Sequence, residues 1–167
     1  MRRHVLVTCI LGLAVVSPLS AQTGPAGTPG GVVEQPSAEA AAAERARFVA
    51  EVSKTIAGRE QEPAETVFKN IQMFKGVPAG RLIRIMEMGY ARSLGVGCTH
   101  CHVEGAWDKD DKPQKQIARE MAAMARAITT DYLAKIKNLD SKQPAVNCTT
   151  CHRGQIKPAL DLPAAPK

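Results

Sequence analysis

Apolar residues along this chain recur mostly at three- and four-residue intervals, the rhythm of amphipathic helices, and no convincing stretch alternates with the two-residue period of a half-buried strand. The spacing predicts four helices. The first lies in 38–60, an Ala- and Glu/Arg-rich segment that reads as helix to about Gly58 and gathers Phe48, Val49, Val52 and Ile56 on one face. Pro63-Ala64-Glu65 opens the second, Val67, Phe68, Ile71 and Phe74 follow at helical spacing, and Gly76 stops it. The third starts at Pro78 and runs to about Ser93, with Leu82, Ile83, Met86 and Tyr90 on an inward stripe and Arg81, Arg84 and Arg92 away from it. Pro113 begins a long fourth helix, to about Lys137, in which Ile117, Met121, Met124, Ile128 and Tyr132 share a face. The expected fold class is mainly α.

Outside these helices the pattern changes. Val5 to Leu19 is the longest apolar run, shorter than the roughly 20 residues that cross a bilayer and interrupted by Pro18. It follows Met1-Arg2-Arg3-His4 and precedes Ser20-Ala21-Gln22, the order of an export signal, so 1–21 is read as a signal peptide, with an uncleaved anchor as the alternative. Gln22 to Ser37 is Gly, Pro, Thr, Ala and Gln with almost no large apolar residue, and reads as a disordered linker. A Pro-rich tail, 159–167, ends the chain, which leaves 61–158 as the main domain.

Composition sharpens the question of what fills that domain. The 167 residues are 44% hydrophobic but only 4% aromatic, so few bulky side chains are on hand to offset the entropy of folding, and a cofactor could supply the missing apolar bulk. The formal net charge is +6, and loss of Arg2 and Arg3 with the signal leaves a mild excess. Its charges intersperse along the helices instead of clustering, which argues against nucleic acid as a partner.

The third and fourth helices each run ahead of the same pentapeptide pattern. Cys98-Thr99-His100-Cys101-His102 follows the third, and Cys148-Thr149-Thr150-Cys151-His152 follows the fourth, so the order helix, loop, Cys-x-x-Cys-His occurs twice, over 78–102 and 113–152. This pattern is the attachment signature of c-type haem. Cysteines three apart can form thioethers to the two vinyl groups of one porphyrin, and the next residue carries an imidazole to the iron. Of the five cysteines, Cys9 leaves with the signal and the other four all fall in these runs. Two disulfides, or a tetrathiolate zinc site, are the alternatives; zinc gives no reason for a His after each pair, and the strands of a thioredoxin-like redox fold are missing. The expected cofactors are two covalently attached haem c groups, on Cys98, Cys101 and His102 and on Cys148, Cys151 and His152.

The sixth iron ligand separates an electron carrier from a reactive haem. Outside the signal the histidines are His100, His102 and His152, too few for double-His coordination at both sites, and His100 sits in its own attachment loop, where it is expected to face solvent. Methionine thioether is the natural substitute, being soft and favouring ferrous iron relative to a second His. On the third helix Met86 lies with Leu82 and Tyr90 on the apolar stripe, whereas Met88 falls with Arg81, Arg84 and Arg92, so Met86 is the expected ligand. On the fourth, Met121 and Met124 share a face and periodicity does not choose between them. Met73 is read as core filling.

Phe68-Lys69-Asn70-Ile71-Gln72, Lys75-Gly76-Val77-Pro78-Ala79, Leu82-Ile83, Met86, Ser93-Leu94-Gly95-Val96, Cys98 to His102, Arg119, Met121 and Cys148 to Gly154 together resemble the photosynthetic reaction-centre cytochrome c subunit family. In that family each haem unit has a helix bearing the Met ligand, a turn and an attachment helix. Carried onto this chain, the resemblance implies Met86 for the first haem and Met121, after Arg119-Glu120, for the second. The four-haem subunit of purple bacteria has twice as many motifs, so the chain resembles about half of it.

The expected function is therefore single-electron transfer by an exported, periplasmic dihaem cytochrome, free or membrane-associated. Its partners would be redox proteins, among them a membrane electron-transfer complex or reaction centre, with no small-molecule substrate. The rival is a haem peroxidase or small-ligand-binding cytochrome with one open iron. Propionates on two haems would offset the basic polypeptide, so any docking patch has to be local.

Overall fold

The computed structural model describes residues 34–158, so the expected signal, most of the linker and the tail lie outside the described residues. The first long helix, α1 (Ala38–Thr55), starts at Ser37, whose hydroxyl accepts the Ala40 N–H at 3.2 Å, and carries Glu39 in its first turn and Lys54 in its last, both matched to the helix dipole. It buries Ala41 and Phe48, the latter 1% exposed, against the elements that follow.

The second predicted helix is mostly absent. Only α2 (Ala64–Val67) forms; Phe68 is already extended at φ −113°, ψ 151°, and Asn70 and Phe74 adopt φ of 57° and 64°. One long-range bond and two within the segment explain the difference. Asn70 Nδ2 donates to the Asp108 carbonyl, Gln72 Nε2 donates to Asn70 Oδ1 at 3.0 Å, and the Glu65 carboxylate accepts the Gly76 N–H at 2.8 Å to close the segment. The apolar residues that mimicked a helical stripe instead form an irregular wrap. A short bridge between Pro63 and Pro78, with Ala64 N–H on Val77 O at 2.8 Å and Ala79 N–H on Glu62 O at 2.9 Å, ties its two ends.

The third predicted helix forms as one rod: α3 (Ala79–Arg84), a π-helical segment Ile85–Ala91, and α4 (Arg92–Leu94). Gly95 ends it at φ 67°, a conformation that glycine adopts without penalty. The fourth forms as α5 (Pro113–Ala127), with Pro at its start, then a π segment Ile128–Tyr132 and a 3₁₀ turn Leu133–Lys135. Finally α6 (Cys148–His152) is a single capped turn in which Asn147 Oδ1 accepts the Thr150 N–H and Thr150 Oγ1 accepts the Asn147 N–H, both at 3.2 Å. No strand longer than an isolated bridge occurs among the described residues, and the chain is mainly α as expected.

The core is thin. Among the described residues its buried apolar members are Ala41, Phe48, Ile56, Ala64, Ala79, Leu82, Ala91 and Val96, four of them alanine. Along α5 no residue is fully buried, and Ile117, Met121 and Met124 stand 53%, 37% and 46% exposed. Among the described residues nothing covers this apolar helix face.

Tyr132, which the spacing groups with Ile117, Met121 and Met124, lies beyond α5 in the π segment and, like those three, is exposed. Gln35 departs from the tether reading of 22–37. Its amide donates to the Leu94 and Gly95 carbonyls at 3.1 and 2.9 Å, and its carbonyl accepts the Ile156 N–H at 2.8 Å.

Candidate functional site

Between α1, the α3–α4 rod, the 67–74 wrap and the start of α5 lies a cavity of about 430 Å³, within the ~300–1,000 Å³ range of cofactor sites. Phe48, Phe68, Leu82, Ile83, Tyr90 and Trp107 supply much of its apolar wall. Onto the same cavity open Met86, Cys98, Cys101 and His102. A thiol pair, an imidazole and a thioether in one apolar chamber match the donor set of a covalently held haem, so the residues present fit that group.

His102 is set up as a ligand. Its Nδ1 lies 2.9 Å from the Trp107 carbonyl, which can only accept, so Nδ1 carries the proton and the Nε2 lone pair is left free. Burial pushes its pKa down, which favours the neutral ring that a metal requires. The Trp107 ring sits edge-on to His102 at 5.8 Å and to Phe48 at 4.9 Å, so α1 buttresses the imidazole through two aromatic contacts. Burial holds Cys101 as a neutral thiol, its pKa pushed up to about 11, and raises Cys98 as well.

Local chemistry explains how the attachment turn is held. The 3₁₀ turn Cys98–His100 presents the Thr99 N–H to the Glu44 carboxylate at 2.8 Å, while Arg45 donates to the Val96 carbonyl at 2.7 Å. A Cβ at position 97 would overlap the Glu44 carboxylate, so a larger residue there would displace the side chain that holds the Thr99 N–H. Sequence reasoning missed Glu44 and Arg45; they sit in an unremarkable Ala/Glu/Arg run, and only the neighbouring apolar face hints that this helix packs. His100, expected to face solvent, is half-buried beside Lys112, whose ammonium donates to the Thr99 carbonyl.

The two methionines of the third helix part company. Met86 lines the cavity; Met88 is 50% exposed, outside it, with its sulfur 3.2 Å from an Arg92 guanidinium nitrogen. Met86, Glu87, Tyr90 and Ala91 all reach the cavity, continuing from Ile83 the three- and four-residue spacing of one helical face, and they lie in the π-helical segment Ile85–Ala91, a geometry that recurs at functional sites. Met73 lines the same cavity from the wrap. Near its edge, the Asp110 carboxylate meets Lys115 at 3.0 Å and Arg119 at 2.9 Å, two cations that also line it. Arg119, with Asn70 and Lys115, holds the Asp110 carboxyl well below the usual carboxylate range.

The second motif lies outside this cavity, as do Met121 and Met124. Its histidine repeats the arrangement of the first: His152 Nδ1 is 3.0 Å from the Gln155 carbonyl, again leaving Nε2 free. Motif and rod touch directly, since the Ser93 and Thr149 hydroxyls are 2.6 Å apart and the Gly154 N–H donates to the Ser93 carbonyl at 2.8 Å. Val146 N–H donates to Thr129 Oγ1 at 3.1 Å, which ties the motif's approach to the helix bearing Met121. Tyr90 stands near both motifs: its phenol is pushed up to about 12 by burial, then by Cys148 and Cys101.

All four motif cysteines are free thiols, not disulfides, and among the described residues no three His, Cys, Asp or Glu side chains converge as a metal-holding group. The tetrathiolate zinc alternative therefore has no geometric support.

The family model described as the photosynthetic reaction centre cytochrome C subunit matches residues 16–161. The chain belongs to this family. It is 34% identical over 96 residues to the photosynthetic reaction center cytochrome c subunit of Thermochromatium tepidum, a match covering 57% of this chain and 22% of that protein. It is 30% identical over 83 residues to cytochrome c-554 of Chloroflexus aurantiacus, covering 50% of this chain and 20% of that protein. The chain thus spans only about a fifth of the length of these relatives. Membership of a cytochrome c family implies covalently bound haem c, in agreement with the donors assembled around the cavity. Among the described residues no helix is long and apolar enough to cross a membrane.

Proposed function

We propose that the chain is an exported, periplasmic dihaem cytochrome c that passes single electrons between redox proteins, one of them a membrane electron-transfer complex or reaction centre, and that it is not an enzyme. One observation carries the reading: Cys98, Cys101, His102 and Met86 open onto a single apolar cavity. When bound, haem c supplies the Fe(III)/Fe(II) couple. Cys98 and Cys101 would hold the first group covalently, His102 Nε2 and the Met86 sulfur would be the ligands to its iron, and the apolar wall would exclude water. For the second group Cys148 and Cys151 are the attachment residues, with His152 and Met121 as ligands. The exposed stripe through Ile117, Met121 and Met124 is the apolar surface that this second macrocycle would cover.

Saturation of both irons would leave no place for a substrate. The rival reading, a peroxidase or ligand-binding cytochrome with one open iron, draws on the same exposure of Met121 and Met124. Ferric and ferrous optical spectra of the holoprotein, with Met86→Ala and Met121→Ala beside it, separate the two. Electron transfer predicts two low-spin haems, with the sulfur-to-iron charge-transfer band falling by about half in each variant. A wild-type haem that is high-spin and binds carbon monoxide overturns it in favour of the open-iron reading.

A further inference from the structure

The two attachment motifs are joined by a clasp that belongs to neither. After the first rod, Gly95 turns at φ 67°, and its backbone comes so close to the Gly154 carbonyl that a Cβ there would overlap it. Gln35 bridges this junction: its amide nitrogen donates to Leu94 O at 3.1 Å and Gly95 O at 2.9 Å, with Gly154 O at 3.5 Å, while its carbonyl accepts the Ile156 N–H at 2.8 Å. One side chain thus binds the turn leading into Cys98 and the turn leaving His152, separated by about sixty residues of chain. It is only part-exposed, where a competing water gains less.

We propose that Gln35 is a positioning residue that fixes the second haem site against the first, so that the spacing between the two irons is set by a side chain outside both motifs. The inference rests on the dihaem reading above. Ser93 ties the rod to the second motif through the Thr149 hydroxyl and the Gly154 N–H, and Gln35 adds a separate attachment, from the Gly95 turn to Ile156, that braces the two motifs against relative movement.

The test uses the full-length holoprotein, with haem counted first by pyridine haemochrome. Pulsed electron paramagnetic resonance then reads the distance distribution between the two ferric irons in wild type, Gln35→Ala and Gln35→Glu. The Glu variant keeps the acceptor for Ile156 and loses the two donors, and serves if the Ala variant does not fold. The expected result is two haems throughout, unchanged low-spin spectra, a single narrow distribution in wild type and a broadened one in both variants. Two haems with a distribution as narrow in the variants as in wild type overturn the role of Gln35 and leave the dihaem reading intact. One haem per wild-type chain overturns both.

Discussion

The imidazole of His102 and the main-chain carbonyl of Trp107 lie 2.9 Å apart, a bond that fixes the ring's tautomer without using a side chain. His152 and the Gln155 carbonyl repeat it at 3.0 Å. Because both acceptors are backbone, substitution of the neighbouring side chains leaves the tautomer in place and acts on packing alone, which makes stability and ligation separable by mutation.

Phe48 is the clearest packing test. It is 1% exposed, meets Trp107 edge-on and comes from a helix far from either motif in sequence. Phe48→Ala is expected to lower unfolding stability by about 3–5 kcal/mol, the usual cost of removing a buried ring. Urea unfolding should show a lower midpoint with unchanged slope, and the haem spectrum at low denaturant should remain low-spin.

Glu44 tests how the first attachment turn is held. Glu44→Ala strips the Thr99 N–H of its partner, with an expected loss of about 1–3 kcal/mol. Glu44→Gln keeps an acceptor and should recover most of it. Equal losses in both variants, by the same urea assay, would mean that the charge and not the hydrogen bond matters.

Met88 and Met86 should behave oppositely. Met88→Leu is expected to leave the sulfur-to-iron band and carbon monoxide reactivity at wild-type levels, since its sulfur lies against Arg92 and outside the cavity. Met73→Leu should do the same if Met73 only fills space. Loss of the band in either variant reassigns the first haem's ligand.

Acid should loosen the cavity's edge through Asp110. Its carboxyl is held low by Arg119 first, with Asn70 and Lys115, so its contribution is present at neutral pH and is lost as pH falls below about 4, toward its folded value. Asp110→Asn should be less stable at neutral pH and show a flatter acid limb. Parallel limbs, measured as urea midpoint against pH, would contradict this.

That Cys98, Cys101, His102 and Met86 belong together was legible because the proposed attachment pattern is contiguous, two cysteines, their spacing and the next histidine being local facts, and the cavity gathers those residues. The rods bearing Met86 and Met121 were legible for a similar reason, since each apolar stripe is long and periodic. What escaped was long-range. The wrap through Phe68 and Phe74 has helical spacing, yet Asn70 and Phe74 turn left-handed because Asp108 and the cavity reward it more than a helix would. Glu44 and Gln35 act on groups more than fifty residues away, and no periodicity announces such partners.

Two covalently bound haems per chain is the central claim, and the intact mass of the purified holoprotein measures it directly. The account predicts the polypeptide mass plus two haems, falling to one haem in a Cys148→Ser, Cys151→Ser double variant. A wild-type chain carrying one haem or none would contradict it.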